Sequence, residues 1–129
     1  MLMKLTINFN LSEFQSKDGA PMPSSVLDNV KQLAAALQTI RATIGMPLRI
    51  NSAYRSPEHN KREGGAPSSQ HLLGKAADLT TEQIPPAQLA EIIEELIAEG
   101  HIPQGGIGIY NTFVHYDIRG TRARWDNRR

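Results

Sequence analysis

No cysteine occurs among the 129 residues, so neither a disulfide framework nor a thiolate metal site can hold this chain together. Its fold has to come from one hydrophobic core. A chain of this length buries roughly two thirds of the surface that its unfolded form exposes. An apolar content of 40% with a formal charge of +1 describes one small globular domain. No repeat and no low-complexity linker divides the sequence, which leaves a single domain over 1–129.

Apolar stretches such as Leu33 to Leu37 are far too short to span a membrane. Met1 to Asn10 lacks the basic, apolar, small-residue order of a secretion signal. The chain is therefore expected to be made in a cytoplasm, with no membrane partner and as a monomer. Its charge is uneven: Arg119, Arg122, Arg124, Arg128 and Arg129 face the single Asp126 in a basic C-terminal tail of about 119–129. Such a tail can touch nucleic acid or an anionic wall polymer, or can simply be solvated.

The periodicities predict alternating helices and strands. After an extended lead from Lys4 to Asn8 and a turn-rich Ser16 to Pro23, Ser24 or Ser25 can cap a helix. Its apolar stripe is Val30, Leu33, Leu37, Ile40 and Ile44, and Gly45-Met46-Pro47 ends it. Pro47 to Ala53 reads as a strand, and Ser56-Pro57 opens a short helix. Ala76 to Leu79 reads as a brief small-residue strand. Pro85-Pro86 opens a second amphipathic helix through Leu89, Ile92, Ile93, Leu96 and Ile97, closed at Gly100. Gly105 to Tyr110 and Phe113 to Ile118 form a hairpin. The expected class is α+β, a small antiparallel sheet packed with amphipathic helices.

Four histidines occur, and His71 and His115 stand near aspartates. His71 and Asp78 are seven apart, which on an unbroken helix separates them by about 10 Å. On an unbroken strand they point to opposite faces. They converge only if the chain turns between them, and Gly74 permits that. In the hairpin, Phe113, His115 and Asp117 share one face, while Val114, Tyr116 and Ile118 share an apolar one. Two imidazoles and a carboxylate match catalytic zinc sites that keep a position for water. The same spacing also suits a hydrogen-bonded structural pair. His59 and His101 read as packing and helix-end residues. Tyr54 and Tyr110 suit either a groove wall or the core edge. Gly105 to Gly108 lacks the Lys-Ser or Lys-Thr of a phosphate loop, and no serine sits in a nucleophile elbow.

Ser52-Ala53-Tyr54-Arg55-Ser56, Asn60, Ser69-Gln70-His71 through Gly74-Lys75-Ala76-Ala77-Asp78, Gly105 to Tyr110 and Phe113-Val114-His115-Tyr116-Asp117 occur in that order. Together with Asn8 to Phe14 and Arg119-Gly120 to Trp125, this set resembles the zinc D-Ala-D-Ala carboxypeptidase-like murein peptidases, across essentially the whole chain. The resemblance implies the hedgehog and D-Ala-D-Ala-peptidase fold, with zinc held by His71, Asp78 and His115. It also implies substrate contacts from Arg55, Ser69 and Tyr54, with Arg55 a catalytic residue as well, its guanidinium meeting a substrate carbonyl or terminal carboxylate and stabilising the tetrahedral oxyanion. Many relatives carry an acidic base three residues before the last histidine, where this chain has Thr112. Asp117 is then a candidate base, or the group that fixes a zinc histidine's tautomer.

The function implied is zinc-dependent hydrolysis of an amide bond in peptidoglycan stem peptides, as a D,D- or L,D-peptidase. The lack of a secretion signal and of a wall-binding domain suggests a phage or prophage lysin that acts on the wall after release. A rival reading is a binding or structural phage protein that keeps the zinc fold without catalysis, consistent with Thr112. Nucleic-acid binding through the tail is a third reading, and it would show steep salt dependence without a metal requirement.

Overall fold

The computed structural model describes residues 3–129. Its element order is α1 (Ser24–Ile44), β1 (Arg49–Ser52), α2 (Pro57–Arg62), β2 (Ala76–Thr80), α3 (Pro86–Ala98), β3 (Gly106–Ile109), β4 (Val114–Asp117) and β5 (Ala123–Asp126). Short 3-10 turns at Leu11–Phe14 and Gln70–Leu73 precede α1 and β2. The class is α+β. None of the described helices is long and apolar enough to cross a membrane.

The apolar stripe of α1 buries Val26, Val30, Leu33, Leu37 and Ile40, because positions three and four apart share a helix face. The helix stops at Gly45, whose φ of 69° is left-handed and whose N–H bonds back to Arg41 O. Its N-cap is Pro23, and no side chain caps it. The expected serine cap is therefore corrected: Ser24 is already inside the helix. In α3, Pro86 occupies the first turn, where its missing N–H costs nothing. Leu89, Ala90, Ile93 and Leu96 face inward. The chain then turns through Gly100 at φ 78°.

The sheet has five strands in the order β1-β2-β4-β3-β5. It is mixed rather than purely antiparallel, because β5 pairs parallel to β3. That strand comes from the run counted as a basic tail. The extended lead at Lys4 to Asn8 is also corrected: it holds one isolated bridge, Lys4 to Asn10, and no strand. What anchors this region is aromatic, with Phe9 and Phe14 buried edge to face at 6.2 Å.

The two faces of the sheet divide the labour. Ile50, Ala77, Leu79, Ile107, Val114 and Tyr116 join the helices in one core. The alternate residues face the other way, and their placement follows from register. Asp78 lies opposite His115, and Gly108 pairs with both His115 and Trp125. An irregularity between Ile50 and Ser52 sets Ser52 opposite Asp78, as a bulge re-aims the residues after it.

Arg124 clamps β5 to α3. Its Nε and Nη2 each donate to Glu94 at 2.7 Å, its Nη1 reaches the Gly105 and Ala123 carbonyls, and Nη2 also meets Gln104. The Arg124 bonds hold the Glu94 carboxyl below the ordinary glutamate range against the opposing effect of burial. Arg124→Ala is expected to lower stability by about 1–2 kcal/mol, by the loss of charge-assisted hydrogen bonds. Because Glu94 is more acidic when folded, its contribution is present above its unfolded pKa and fades as pH falls below about 4.5. Denaturant melts of Glu94→Gln, which should lack that acid dependence, check the sign.

Candidate metal centre

Antiparallel pairing of β2 with β4 sets Asp78 directly across from His115, close enough for the two side chains to meet. His71 arrives from the 3-10 turn before β2. Ser69 starts that turn by accepting the His71 N–H at 3.1 Å, and Gly74 ends it at φ 72°. A side chain at Gly74 would strike Val26 and Val30 of α1 as well as straining the backbone. The turn that the His71 and Asp78 spacing demanded is therefore present, and it sits where only glycine fits.

The ligand atoms of His71, Asp78 and His115 lie within 4.8 Å of one another, and all three residues are buried. His71 Nε2 is 3.3 Å from Asp78 Oδ1, and His115 Nδ1 is 3.2 Å from the same oxygen. Ligands in a tetrahedral zinc shell, with bonds near 2.0–2.1 Å, stand roughly 3.3 Å apart. The rings cross edge to face at 5.3 Å and 77°.

Hydrogen bonding behind the rings decides which nitrogen is free. His71 Nδ1 is 2.6 Å from the Ala53 carbonyl, which can only accept, so the Nδ1–H donates and Nε2 carries the lone pair. His115 Nε2 is 2.7 Å from Asp117 Oδ2, so its Nδ1 carries the lone pair. Two nitrogen lone pairs and one carboxylate oxygen thus converge on one point. Such an arrangement repels itself unless a cation lies between, and zinc fits it by donor type and spacing. Arg55 Nη2 holds the other Asp78 oxygen at 3.1 Å, leaving Oδ1 to point inward.

Burial works against every charge in the cluster, yet the charges persist. Burial pushes the Asp78 carboxyl up, yet it stays well below its usual range, because the adjacent His115 and His71 imidazoles outweigh that desolvation. Asp117 is also more acidic than usual, held so by His115, Arg119 and the Gly106 N–H against its burial. Where no metal takes the His115 Nδ1 lone pair, the Asp117 and Asp78 carboxylates favour a proton there despite burial, so that proton leaves at higher pH than usual.

A cavity of about 780 Å³ opens over the cluster. It is lined by His71, Asp78 and His115, by Arg55, Ser69 and Gln70 on one side, and by Tyr110, Phe113, Arg119 and Trp125 on the other. Glu63 is the lining carboxylate outside the cluster. The expected site residues do not all reach this space. Arg55 and Ser69 do, although Ser69 is engaged as the cap of the His71 turn. Tyr54 does not line the cavity and is 4% exposed within the core. Asp117 is fully buried behind His115 and does not line the cavity. Its two oxygens accept from His115, the Gly106 N–H and three nitrogens of Arg119. This is the position of a group that fixes the His115 tautomer.

Residues 5–117 match the family model described as Peptidase M15. The chain belongs to the peptidase M15 family. No curated protein matches it. The His71, Asp78 and His115 cluster could hold a metal ion, and metallopeptidase chemistry is what the family and cluster together support.

Several of the lining groups of this M15 peptidase were not singled out by spacing. Arg119 counted as part of a charge run, but it continues the His115, Asp117 parity by two more residues and closes on Asp117. Trp125 lies over Gly108, where any side chain would collide with the indole. Gly105 and Gly106 likewise leave room for the Asp117 backbone and carboxylate. The Gly105 to Gly108 run is thus a surface for close approach, not a phosphate loop.

Asp117→Ala is expected to weaken zinc binding about 10–100-fold, the usual cost of removing a carboxylate behind a metal histidine, while Asp78→Ala abolishes stoichiometric binding. Wild-type affinity should fall as pH drops through the raised His115 pKa, because protons then compete for Nδ1. Titration against a chelating dye across pH measures both.

Proposed function

We propose that this M15 peptidase is a zinc enzyme that hydrolyses an amide bond in the peptide part of bacterial peptidoglycan. The observation that carries the reading is the set of three lone pairs at zinc-like spacing beneath an open cavity. The ordered motifs from Ser52 to Asp117, which resemble murein peptidases, supply the substrate class. Zinc in this site would polarise the substrate carbonyl and acidify water toward a pKa of about 7.

The chain's own residues do the rest. Ala53 and Asp117 hold the two imidazoles in the tautomers that leave Nε2 and Nδ1 free. Arg55 is fixed by Ser52, Asn60 and Asp78 at 3.0, 3.3 and 3.1 Å. Its remaining N–H groups meet a carbonyl or carboxylate of the substrate. Asp117 acts by positioning His115, since each of its oxygens is already occupied. The reading extends to a lysin of phage or prophage origin, made in the cytoplasm and acting on the wall after release, whose exposed arginines favour an anionic polymer. Arg122 and Arg128 would test that last point, because removing 122–129 would take β5 with it.

Purified sacculi and stem peptides digested with chelator-treated and zinc-restored protein should show cleavage only with the metal, and product masses should name the bond. Stoichiometric zinc with no cleavage of either substrate would instead favour a non-catalytic binding or structural protein.

A further inference from the structure

Tyr110 closes the β3 side of the cavity, and its hydroxyl is engaged from one direction. Trp125 Nε1–H donates to the Tyr110 oxygen at 3.0 Å. Among the described residues, no protein acceptor takes the Tyr110 O–H. The phenol is held in place. Its ring stacks on Phe113 with centroids 4.3 Å apart and planes at 9°, and its backbone N–H bonds to Phe113 O at 3.0 Å. The indole that orients the hydroxyl is itself seated: it lies over Gly108, its ring is 5.0 Å from His115, and the Arg119 guanidinium stands 5.7 Å from its centre.

Sheet order then places this donor relative to the cluster. Asp78 and His115 stand on β2 and β4, Arg55 follows β1 on one side, and Tyr110 follows β3 on the other. Arg55 is largely committed to Ser52, Asn60 and Asp78. Tyr110 spends its oxygen on Trp125 and keeps its hydrogen for the cavity that both residues line.

We propose that Tyr110 is a catalytic residue of this enzyme, its O–H donating to the carbonyl oxygen of the scissile amide as charge develops there. This rests on the peptidase reading and adds to it a named transition-state donor. In the hydrolysis, the oxygen of water adds to the carbonyl carbon and the C=O π pair moves onto the carbonyl oxygen, where Tyr110 donates. When that pair returns, the C–N bond breaks, and one proton of the water ends on the departing amine. A donor fixed in advance is worth most where charge appears only in the transition state.

The test compares wild type with Tyr110→Phe, which keeps the stack on Phe113 and removes the hydroxyl. Both are zinc-loaded and given the peptide whose bond the sacculus digest identifies. A phosphinate analogue of that bond, a stable tetrahedral mimic, is titrated calorimetrically alongside. The expected result is a fall in kcat of about 10²-fold, the usual effect of losing one such donor, with KM and zinc stoichiometry unchanged. Phosphinate affinity should fall by a similar factor. A kcat within about twofold of wild type, or a loss that appears in KM or zinc content instead, overturns the role.

Should Tyr110→Phe fold poorly, Trp125→Phe keeps the hydroxyl but removes the N–H that orients it. It should lower kcat without raising KM, and an unchanged kcat there overturns the role as well. Zinc-loaded wild-type protein that cleaves neither sacculi nor stem peptides overturns the peptidase reading and the Tyr110 role together. Wild type that cleaves while Tyr110→Phe cleaves equally overturns the Tyr110 role alone.

Discussion

The pairing of β2 with β4 is the constraint on which the rest of this molecule depends. It sets Asp78 against His115, both largely buried, at the floor of the cavity. Once those two are adjacent, the chain has buried a carboxylate and an imidazole that cannot both be left bare. The surrounding hydrogen bonds respond to that problem. Ala53 takes the far nitrogen of His71, Asp117 takes that of His115, and Arg55 takes the spare oxygen of Asp78. Each outer partner leaves an inner lone pair with nothing to meet except a cation. A metal held here would depend as much on this outer ring as on the three candidate ligands.

The outer ring is in turn built by close approach of backbone. Gly105 and Gly106 let β3 come up against Asp117, and Gly108 lets Trp125 lie on the sheet. With no Cβ in the way, the carboxylate accepts the Gly106 N–H at 2.9 Å as well as the Arg119 guanidinium. The same absence makes room for an indole at the edge of the metal cavity. Residues that look like a flexible loop are there because they are thin. The parallel strand β5 completes this wall, and the Arg124 clamp holds it to α3. A segment rich in arginine therefore has three different fates. Arg119 is sequestered on Asp117, Arg124 ties two elements together, and Arg128 pairs with its neighbour Asp126.

Much of this was legible in sequence because it is local. The stripe from Val30 to Ile40 could only be a helix with one buried face, and Pro86 and Gly100 bracket α3 for stereochemical reasons. The alternation from Phe113 to Ile118 separates a polar from an apolar strand face at any register. Gly74 was required the moment His71 and Asp78 were asked to meet. The extended lead went astray because Phe9 and Phe14 are buried together and the chain bends there, and the serine cap because Pro23 takes the N-cap position of α1. Strand β5 was hidden since a four-residue strand containing two charged residues has no periodic signature. Its existence depends on a parallel partner on the far side of β4 in the chain, outside any local pattern.

By itself the sequence determined which histidines and aspartate could meet at one point, the helices that bury the core, and the parity that sends His115 and Asp117 to one side of a strand. These follow from periodicity and residue type, which act over a few positions. The tertiary structure alone decided what each group does. It put Asp117 behind His115 and out of the cavity, moved Tyr54 into the core, spent Ser69 on a turn, and brought Tyr110 and Trp125 to the rim. The physical reason is that a role depends on which lone pairs and N–H groups are left after every neighbour has been satisfied. That balance is struck between strands distant in sequence, through register and close approach, and no local pattern encodes it.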